Sequence, residues 1–256
     1  MVTRLQPAKM GRTKKSTRPA ALVTGGAKGI GRALALALAA DGYDVGIVTR
    51  KSERAAQRVV AGCITKGVRA RYWLADLTDV ATTEAVAADF RRHFGRWDVL
   101  INNVGDFWAG PVLRMQTDTL KAVFQSNFSV AARLSVLAIR AMRRRGGGRI
   151  VNIGYIFADR LQSNPRVAAY QAAKTALLSF SASLARTAIA DEITINTVSP
   201  GIHQNTAAPP DDPARAVPAG RLGADADIWG AVRYFLSPEA AYVTGSHLKV
   251  SGGYGI

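Results

Sequence analysis

Ala20-Ala21-Leu22-Val23-Thr24-Gly25-Gly26-Ala27-Lys28-Gly29-Ile30-Gly31 is the stretch on which the reading of this chain turns. Its first five residues form a short apolar run without strict alternation, as expected of a strand covered on both faces. The glycines that follow permit a tight turn and let backbone N–H groups come close to a ligand. From Ile30 to Ala40 apolar residues recur at helical spacing, so the turn empties into a helix N-terminus. Unpaired amides and the helix dipole make such a terminus an anion site, suited to a pyrophosphate.

The same rhythm continues outward from that turn. Strands are predicted at Ala20–Thr24, Val45–Thr49, Arg69–Leu74, Val99–Ile101, Arg149–Ile153, Ile193–Val198 and His247–Val250. Helical patterns lie between them, at Ile30–Ala40, Glu53–Lys66, Ala81–Phe94, Thr117–Arg144, Val167–Ala190 and Ala226–Leu236. Strand-helix alternation throughout implies an α/β fold: one doubly wound parallel sheet of about seven strands, with helices on both faces. No linker divides it, so residues 19–256 read as a single domain. Gly201 to Gly220 interrupts the pattern with Pro209, Pro210, Pro213 and Pro218 around Asp211 and Asp212. That composition excludes a regular strand or helix and suggests a substrate lid over about 202–220.

The 256-residue chain carries a net charge of +16, which raises nucleic acid as a partner. Its distribution argues against that. Arg4, Lys9, Arg12, Lys14, Lys15 and Arg18 fall in a segment without hydrophobic periodicity, read as a basic disordered tail over 1–18. The remaining basic excess is dispersed and lacks an aromatic-studded RNA motif. One cysteine, Cys63, excludes an internal disulfide framework, and no Cys/His cluster has metal-ligand spacing. The longest apolar run, Ala33 to Ala40, is too short for a bilayer, and the N-terminus lacks the apolar segment of a secretory signal. A cytoplasmic protein without a metal or membrane partner is the simplest expectation.

Tyr170-Gln171-Ala172-Ala173-Lys174 supplies the chemistry. A spacing of four stacks the two end residues on one helix face. An ammonium there is expected to lower the phenol's pKa from about 10, so that it exchanges protons at neutral pH. The glycine turn places a nucleotide cofactor beside that phenol.

Together these motifs resemble the short-chain dehydrogenase/reductase family from about Pro19 to the end, in its 3-oxoacyl-acyl-carrier-protein reductase-like branch. Thr24 to Gly31 matches its TGxxxGxG pattern. Asn102-Asn103-Val104-Gly105 resembles NNAG, Asn127 sits at its helix asparagine, and Asn196 with Ser199-Pro200-Gly201 and Ser251-Gly252-Gly253 match later motifs. The resemblance implies a Rossmann fold in which Gly25, Lys28, Gly29, Ile30, Gly31, Asn103, Val104 and Gly105 border the cofactor. Asp76-Leu77 would contact adenine, and Pro200, Gly201 and Ile202 would flank the nicotinamide carboxamide, with Thr206 a further contact. Tyr170 would be the general acid, Lys174 would lower its pKa and hold the ribose, and Asn127 would bind a water feeding protons to Lys174. It also implies a homotetramer built on the two long helices and the last strand.

The second strand ends Val48-Thr49-Arg50-Lys51, with no acid for a ribose 2′-hydroxyl. Arg50, with Lys28 in the turn, suits a 2′-phosphate, so NADPH is expected over NAD. The family's serine after the fifth strand is replaced: counted from the strand the position holds Tyr155, and counted back from Tyr170 it holds Phe157. Tyr155 as a substituted oxyanion donor, Asp159 by analogy with pteridine reductases of the family, and an impaired site stand side by side. The expected reaction is NADPH-dependent carbonyl reduction. The Phe107-Trp108 pair keeps open a pteridine or dihydrofolate substrate with a C=N bond, and a cofactor-binding scaffold is the non-enzymatic reading. His93 and His203 read as structural, Trp73 and Trp97 as core.

Overall fold

Valine, isoleucine and leucine dominate the strand segments, and in the computed structural model all seven of them enter one sheet. Residues 17–206 and 212–256 are described. The strands are β1 (Ala20–Thr24), β2 (Asp44–Thr49), β3 (Ala70–Leu74), β4 (Val99–Asn102), β5 (Gly148–Ile153), β6 (Ile193–Pro200) and β7 (His247–Val250). Their order is β3-β2-β1-β4-β5-β6-β7, and every neighbouring pair is parallel. The helices are α1 (Gly29–Ala40), α2 (Glu53–Ile64), α3 (Val80–Phe94), α4 (Thr117–Phe124), α5 (Val130–Arg143), α6 (Ala168–Ala188), α7 (Pro213–Ala216) and α8 (Asp225–Leu236).

Successive side chains of a strand point to opposite faces, and each face has its own core. Leu22, Val48, Leu100, Ile150 and Ile195 pack with Phe90 of α3, Leu134 of α5 and Ala185 of α6. Their neighbours Val23, Ile47, Ile101, Val151 and Val198 pack with Leu34 of α1, Val59 of α2 and Val232 of α8. The doubly wound expectation holds, and Trp73 and Trp97 lie in the first of these cores. Both faces being covered explains why the strands read as continuous apolar runs.

Strand order reverses between β1 and β4, so the connections leaving those two strands run in opposite directions and a crevice opens at their carboxyl ends. Gly25 after β1, Arg50 after β2, Asp76 after β3, Asn103 after β4 and Tyr155 after β5 all follow strand carboxyl ends.

Three segments bear on the local expectations. Pro213 does begin a helix, α7: proline is tolerated at a first helical position, and Asp212 Oδ1 accepts the Arg215 N–H at 3.1 Å as a cap. Elsewhere in the expected lid, His203 bridges to Gly223, while Pro209, Pro210 and Asp211 lie outside the described residues. Of the expected tail, residues 1–16 lie outside the description. Thr17 and Arg18 are tied to the body: Arg96 Nη1 donates to Thr17 O and Arg18 Nη1 to Gly67 O, each at 2.6 Å. Finally, Thr117–Arg143 is one continuous helical stretch, long and apolar enough by length and composition to cross a membrane; half of its most apolar 18-residue window is buried inside the fold.

Candidate active site

The glycine turn is locked to the β4 exit by one hydroxyl. Thr24 Oγ1 accepts the N–H groups of Asn103 and Val104 at 2.9 and 3.0 Å, and Asn103 Nδ2 donates to Thr24 O at 3.0 Å. A Cβ at Gly31 would stand 2.4 Å from Gly25 O and 2.5 Å from Asn103 Nδ2, so only glycine lets α1 approach this closely. Gly25 itself has φ +65°, a left-handed conformation that favours glycine. Lys28, the residue before α1, is exposed and makes no side-chain cap, which leaves the first amides of the helix free for an anion. The cradle therefore fits a dinucleotide's pyrophosphate.

Beside it is a cavity of about 280 Å³ lined at the ends of β1 to β4 by Gly25, Arg50, Asp76, Leu77, Asn103, Val104 and Gly105. These seven predicted residues line one cavity. Arg50 is not free, however. Its Nη2 lies 3.4 Å from Asp106 Oδ1 and its Nη1 4.0 Å from Asp76 Oδ2, all three side chains being about half exposed. The strand-end reading, which looked for an acid only beside Arg50, missed Asp106 because 56 residues separate the pair. Pro200, Gly201 and Ile202 follow β6, further along the carboxyl edge, and do not line this cavity. Thr206 is engaged locally, its Oγ1 accepting the His203 N–H at 2.9 Å.

The helix pair α4–α5 carries a device that the periodicity did not reveal. Gln125–Ser129 is a turn of π-helix, wider by one residue than an α-turn. Side chains bond back to carbonyls of the preceding turn: Ser126 Oγ donates to Ala122 O at 2.9 Å and Asn127 Nδ2 to Val123 O at 3.0 Å. Asn127 also donates to Asp106 O at 2.8 Å. Its Oδ1 is buried without a hydrogen-bond partner, pressed toward Gly105 where a Cβ would come within van der Waals collision. That orphaned acceptor fits the water-binding role expected of Asn127.

Tyr170 and Lys174 share a face of α6, rich in alanine and leucine as a stable helix should be. Lys174 is 4% exposed and its Nζ donates to Ile153 O, at the end of β5, at 2.8 Å. Nζ stands 5.7 Å from the centre of the Tyr170 ring. The expected lowering of the phenol is not what the environment produces. Burial, with Tyr155 adding to it, holds Tyr170 well above the usual phenol value, and burial brings the Lys174 ammonium down to about 8. The physical reason is desolvation, which disfavours phenolate and ammonium alike.

Tyr155 follows β5 through Gly154, and its ring meets that of Tyr170 edge-on with centroids 5.3 Å apart. Phe107 meets Tyr170 from another side at 5.1 Å and is 54% exposed, whereas Trp108 and Tyr170 both pack against Val123 and Ala169. Phe157 turns instead to Tyr254, at 5.8 Å. Asp159 does not reach the site. Lys249 Nζ, 2.7 Å away, and His247 Nδ1, 3.6 Å away, tie its carboxylate to β7. Burial, which would raise the Asp159 pKa, is outweighed by these partners, and it lies below the usual carboxylate value. His203 is 3% exposed beside Asp225, and His93 packs edge-on against Phe94, both structural as read. The loop before α6 is pinned by Gln171, whose Nε2 donates to Arg160 O and Gln162 O, each at 3.2 Å. Among the described residues no cluster of His, Cys, Asp and Glu has metal-binding geometry.

Comparison with known proteins gives this geometry its family. The short chain dehydrogenase family model matches residues 19–213. The chain is 40% identical over 241 residues to the 3-oxoacyl-(acyl-carrier-protein) reductase FabG of Escherichia coli, covering 91% of this chain and 96% of the relative. It is 32% identical over 243 residues to the corresponding reductase of Synechocystis, covering 93% and 97%. Among solved structures, acetoin dehydrogenase YohF from Salmonella typhimurium superposes with a TM-score of 0.85 at 32% identity, over 93% of this chain and 96% of that one. An actinorhodin polyketide ketoreductase variant solved with NADPH gives 0.86 at 28% identity, over 93% and 97%. With a seven-stranded sheet wound on both faces, a glycine turn at its switch point and relatives aligned along nearly their whole length, the chain belongs to the short chain dehydrogenase family of oxidoreductases.

Proposed function

We propose that the protein is an NADPH-dependent carbonyl reductase with Tyr170 as its general acid. The observation that carries this is the constellation at the end of β5: Tyr170 one helical turn from a buried Lys174 whose Nζ stands 5.7 Å from the phenol ring, beside the glycine cradle. A phenol keeps its proton at neutral pH, and the protonated form is the one reduction consumes. The hydride is what NADPH contributes when bound. Tyr170 donates its proton to the developing alkoxide oxygen. Lys174, charged below about pH 8, stabilises the phenolate left behind, and Asn127 Oδ1 accepts a hydrogen bond from the water that restores the proton. Tyr155, whose ring is edge-on to that of Tyr170, donates a second hydrogen bond to the substrate oxygen in this reading, the role otherwise given to a serine.

Gly25, Lys28, Gly29, Ile30 and Gly31 hold the pyrophosphate; Asp76, Leu77, Asn103, Val104 and Gly105 border the adenosine; Pro200, Gly201 and Ile202 face the nicotinamide. Arg50 receives the 2′-phosphate. The 3-oxoacyl reductases and the NADPH-bound ketoreductase among its relatives support a ketone substrate and this cofactor. A homotetramer through α4–α5, α6 and β7 and a cytoplasmic setting belong to the same reading, and light scattering giving a monomer would refute the assembly.

The test is NADPH oxidation with a panel of β-keto esters and 3-oxoacyl thioesters. Turnover is expected for at least one ketone, and Tyr155→Phe is expected to lower kcat roughly 10²-fold. No turnover of any ketone would end the reading. A second reading, reduction of a dihydropterin, is favoured by the exposed Phe107 ring beside Tyr170, on which a flat heterocycle can stack. A dihydropterin in the same assay separates the two.

A further inference from the structure

Asp106 directly follows the turn Asn103–Gly105, and its backbone is fixed at both ends. Its N–H donates to Ser126 Oγ at 3.0 Å, and its carbonyl accepts from Asn127 Nδ2 at 2.8 Å, so the π-helical turn sets where its side chain emerges. From there the carboxylate reaches across the cavity mouth to Arg50, with Oδ1 3.4 Å from Nη2. The other carboxylate near Arg50 is committed elsewhere: Asp76 Oδ1 accepts from Thr78 N at 3.0 Å and from Thr78 Oγ1 at 2.7 Å, and its Oδ2 stands 4.0 Å from Arg50. Asp106 is thus the nearer and less occupied partner of the guanidinium.

Two carboxylates against one guanidinium leave this corner with a net charge of −1. A 2′-phosphate brings about −1.5 to −2 more, and must also draw Arg50 away from its carboxylates. A 2′-hydroxyl carries no charge, does not need Arg50 and can donate to a carboxylate. We propose that Asp106 is a specificity-determining residue: its carboxylate competes with the cofactor's 2′-phosphate for Arg50 and holds down the preference for the phosphorylated dinucleotide. The inference rests on the dinucleotide reading of the cavity given above. Arg50 then does two jobs in turn. It closes the adenosine end against Asp106 in the free protein, and it grips phosphate once that contact is broken.

Isothermal titration of the full chain with NADP⁺ and with NAD⁺ tests this on four proteins: wild type, Asp106→Asn, Arg50→Ala and the double variant. Asparagine keeps both backbone anchors and the side-chain volume while removing the charge. Asp106→Asn is expected to tighten NADP⁺ about fivefold and to leave NAD⁺ within about twofold, as suits a half-exposed ion pair. The gain should vanish in the Arg50→Ala background, the signature of a coupled pair. An unchanged NADP⁺ to NAD⁺ ratio in Asp106→Asn, or a gain that survives loss of Arg50, overturns the proposal while leaving the cofactor assignment standing. Failure of wild type and all variants to bind either dinucleotide would overturn both.

Discussion

Arg50 and Lys174 are both cations at the carboxyl edge of the sheet, yet one stands half exposed between two carboxylates and the other is buried against a backbone carbonyl. The adenosine end of the crevice is open and charged, so its interactions are screened by salt and exchange partners readily. The end proposed as catalytic is drier and aromatic, with Phe107 and Tyr155 edge-on to Tyr170, and burial holds the phenol's proton firmly. Charge is cheap to rearrange at the first end and costly to move at the second. Specificity can therefore be tuned at Arg50 by one substitution, whereas the Tyr170–Lys174 pair has few tolerated alternatives.

The sharpest way to break this comparison is at the dry end. Tyr170→Phe is expected to lower turnover roughly 10²–10⁴-fold or more while dinucleotide affinity changes little, measured by steady-state rates and titration. Retained turnover would show that the buried phenol is not the acid. Lys174→Met is the next largest test, and it should separate function from stability. Lys174 titrates at about 8 in the fold against 10.5 for a free side chain, so the unfolded chain binds more protons between those values. Its contribution to stability therefore rises as pH climbs from about 8 to about 10.5 and is at its least favourable below about 8. The methionine variant should lose activity, gain about 1–3 kcal/mol at pH 7 in denaturant unfolding, and show a smaller advantage at pH 10. A destabilised variant at pH 7 would mean that the bond to Ile153 O outweighs the burial of charge.

At the open end the expected effects are smaller. Gly31→Ala sets a Cβ against Gly25 O and should weaken dinucleotide binding at least about tenfold by displacing α1 from the turn. Asp159→Asn, at a carboxylate tied to β7 and more than a third exposed, should cost under about 1 kcal/mol at pH 7. Because its pKa is lowered in the fold, what it contributes is present above the ordinary carboxylate value and fades as pH falls through its folded one. A thermal melt at neutral and at acid pH reads that difference, and a large change in kcat would return Asp159 to the catalytic site.

The sheet, its order of elements and the cradle were legible because they rest on local signals: apolar runs at the strands, glycines at 25, 29 and 31, a spacing of four at Tyr170 and Lys174. What escaped the sequence depends on neighbours distant along the chain. Asp106 meets Arg50 only because β2 and β4 end beside the same crevice. The phenol's pKa moved opposite to expectation because Tyr155 and Phe107 close over it, a fact of packing that the Tyr-x-x-x-Lys spacing does not carry. Helix α7 was hidden by the prolines of its segment, although Pro213, at the first helical position, is tolerated there. The π-turn left no mark at all, since Gln125 to Ser129 is ordinary helical sequence.

That turn also constrains how the gene can vary. A π-turn holds one residue more than the α-turn it replaces, so losing one of the five residues 125–129 would rewind the segment to regular helix and leave α5 nearly in phase with α4. Val130, Leu134, Ala138 and Met142 would keep their places in the core, whereas Asn127 would lose the widened turn that aims its amide at Gly105 and Asp106. A one-codon deletion here is thus a change that the fold absorbs and the site does not.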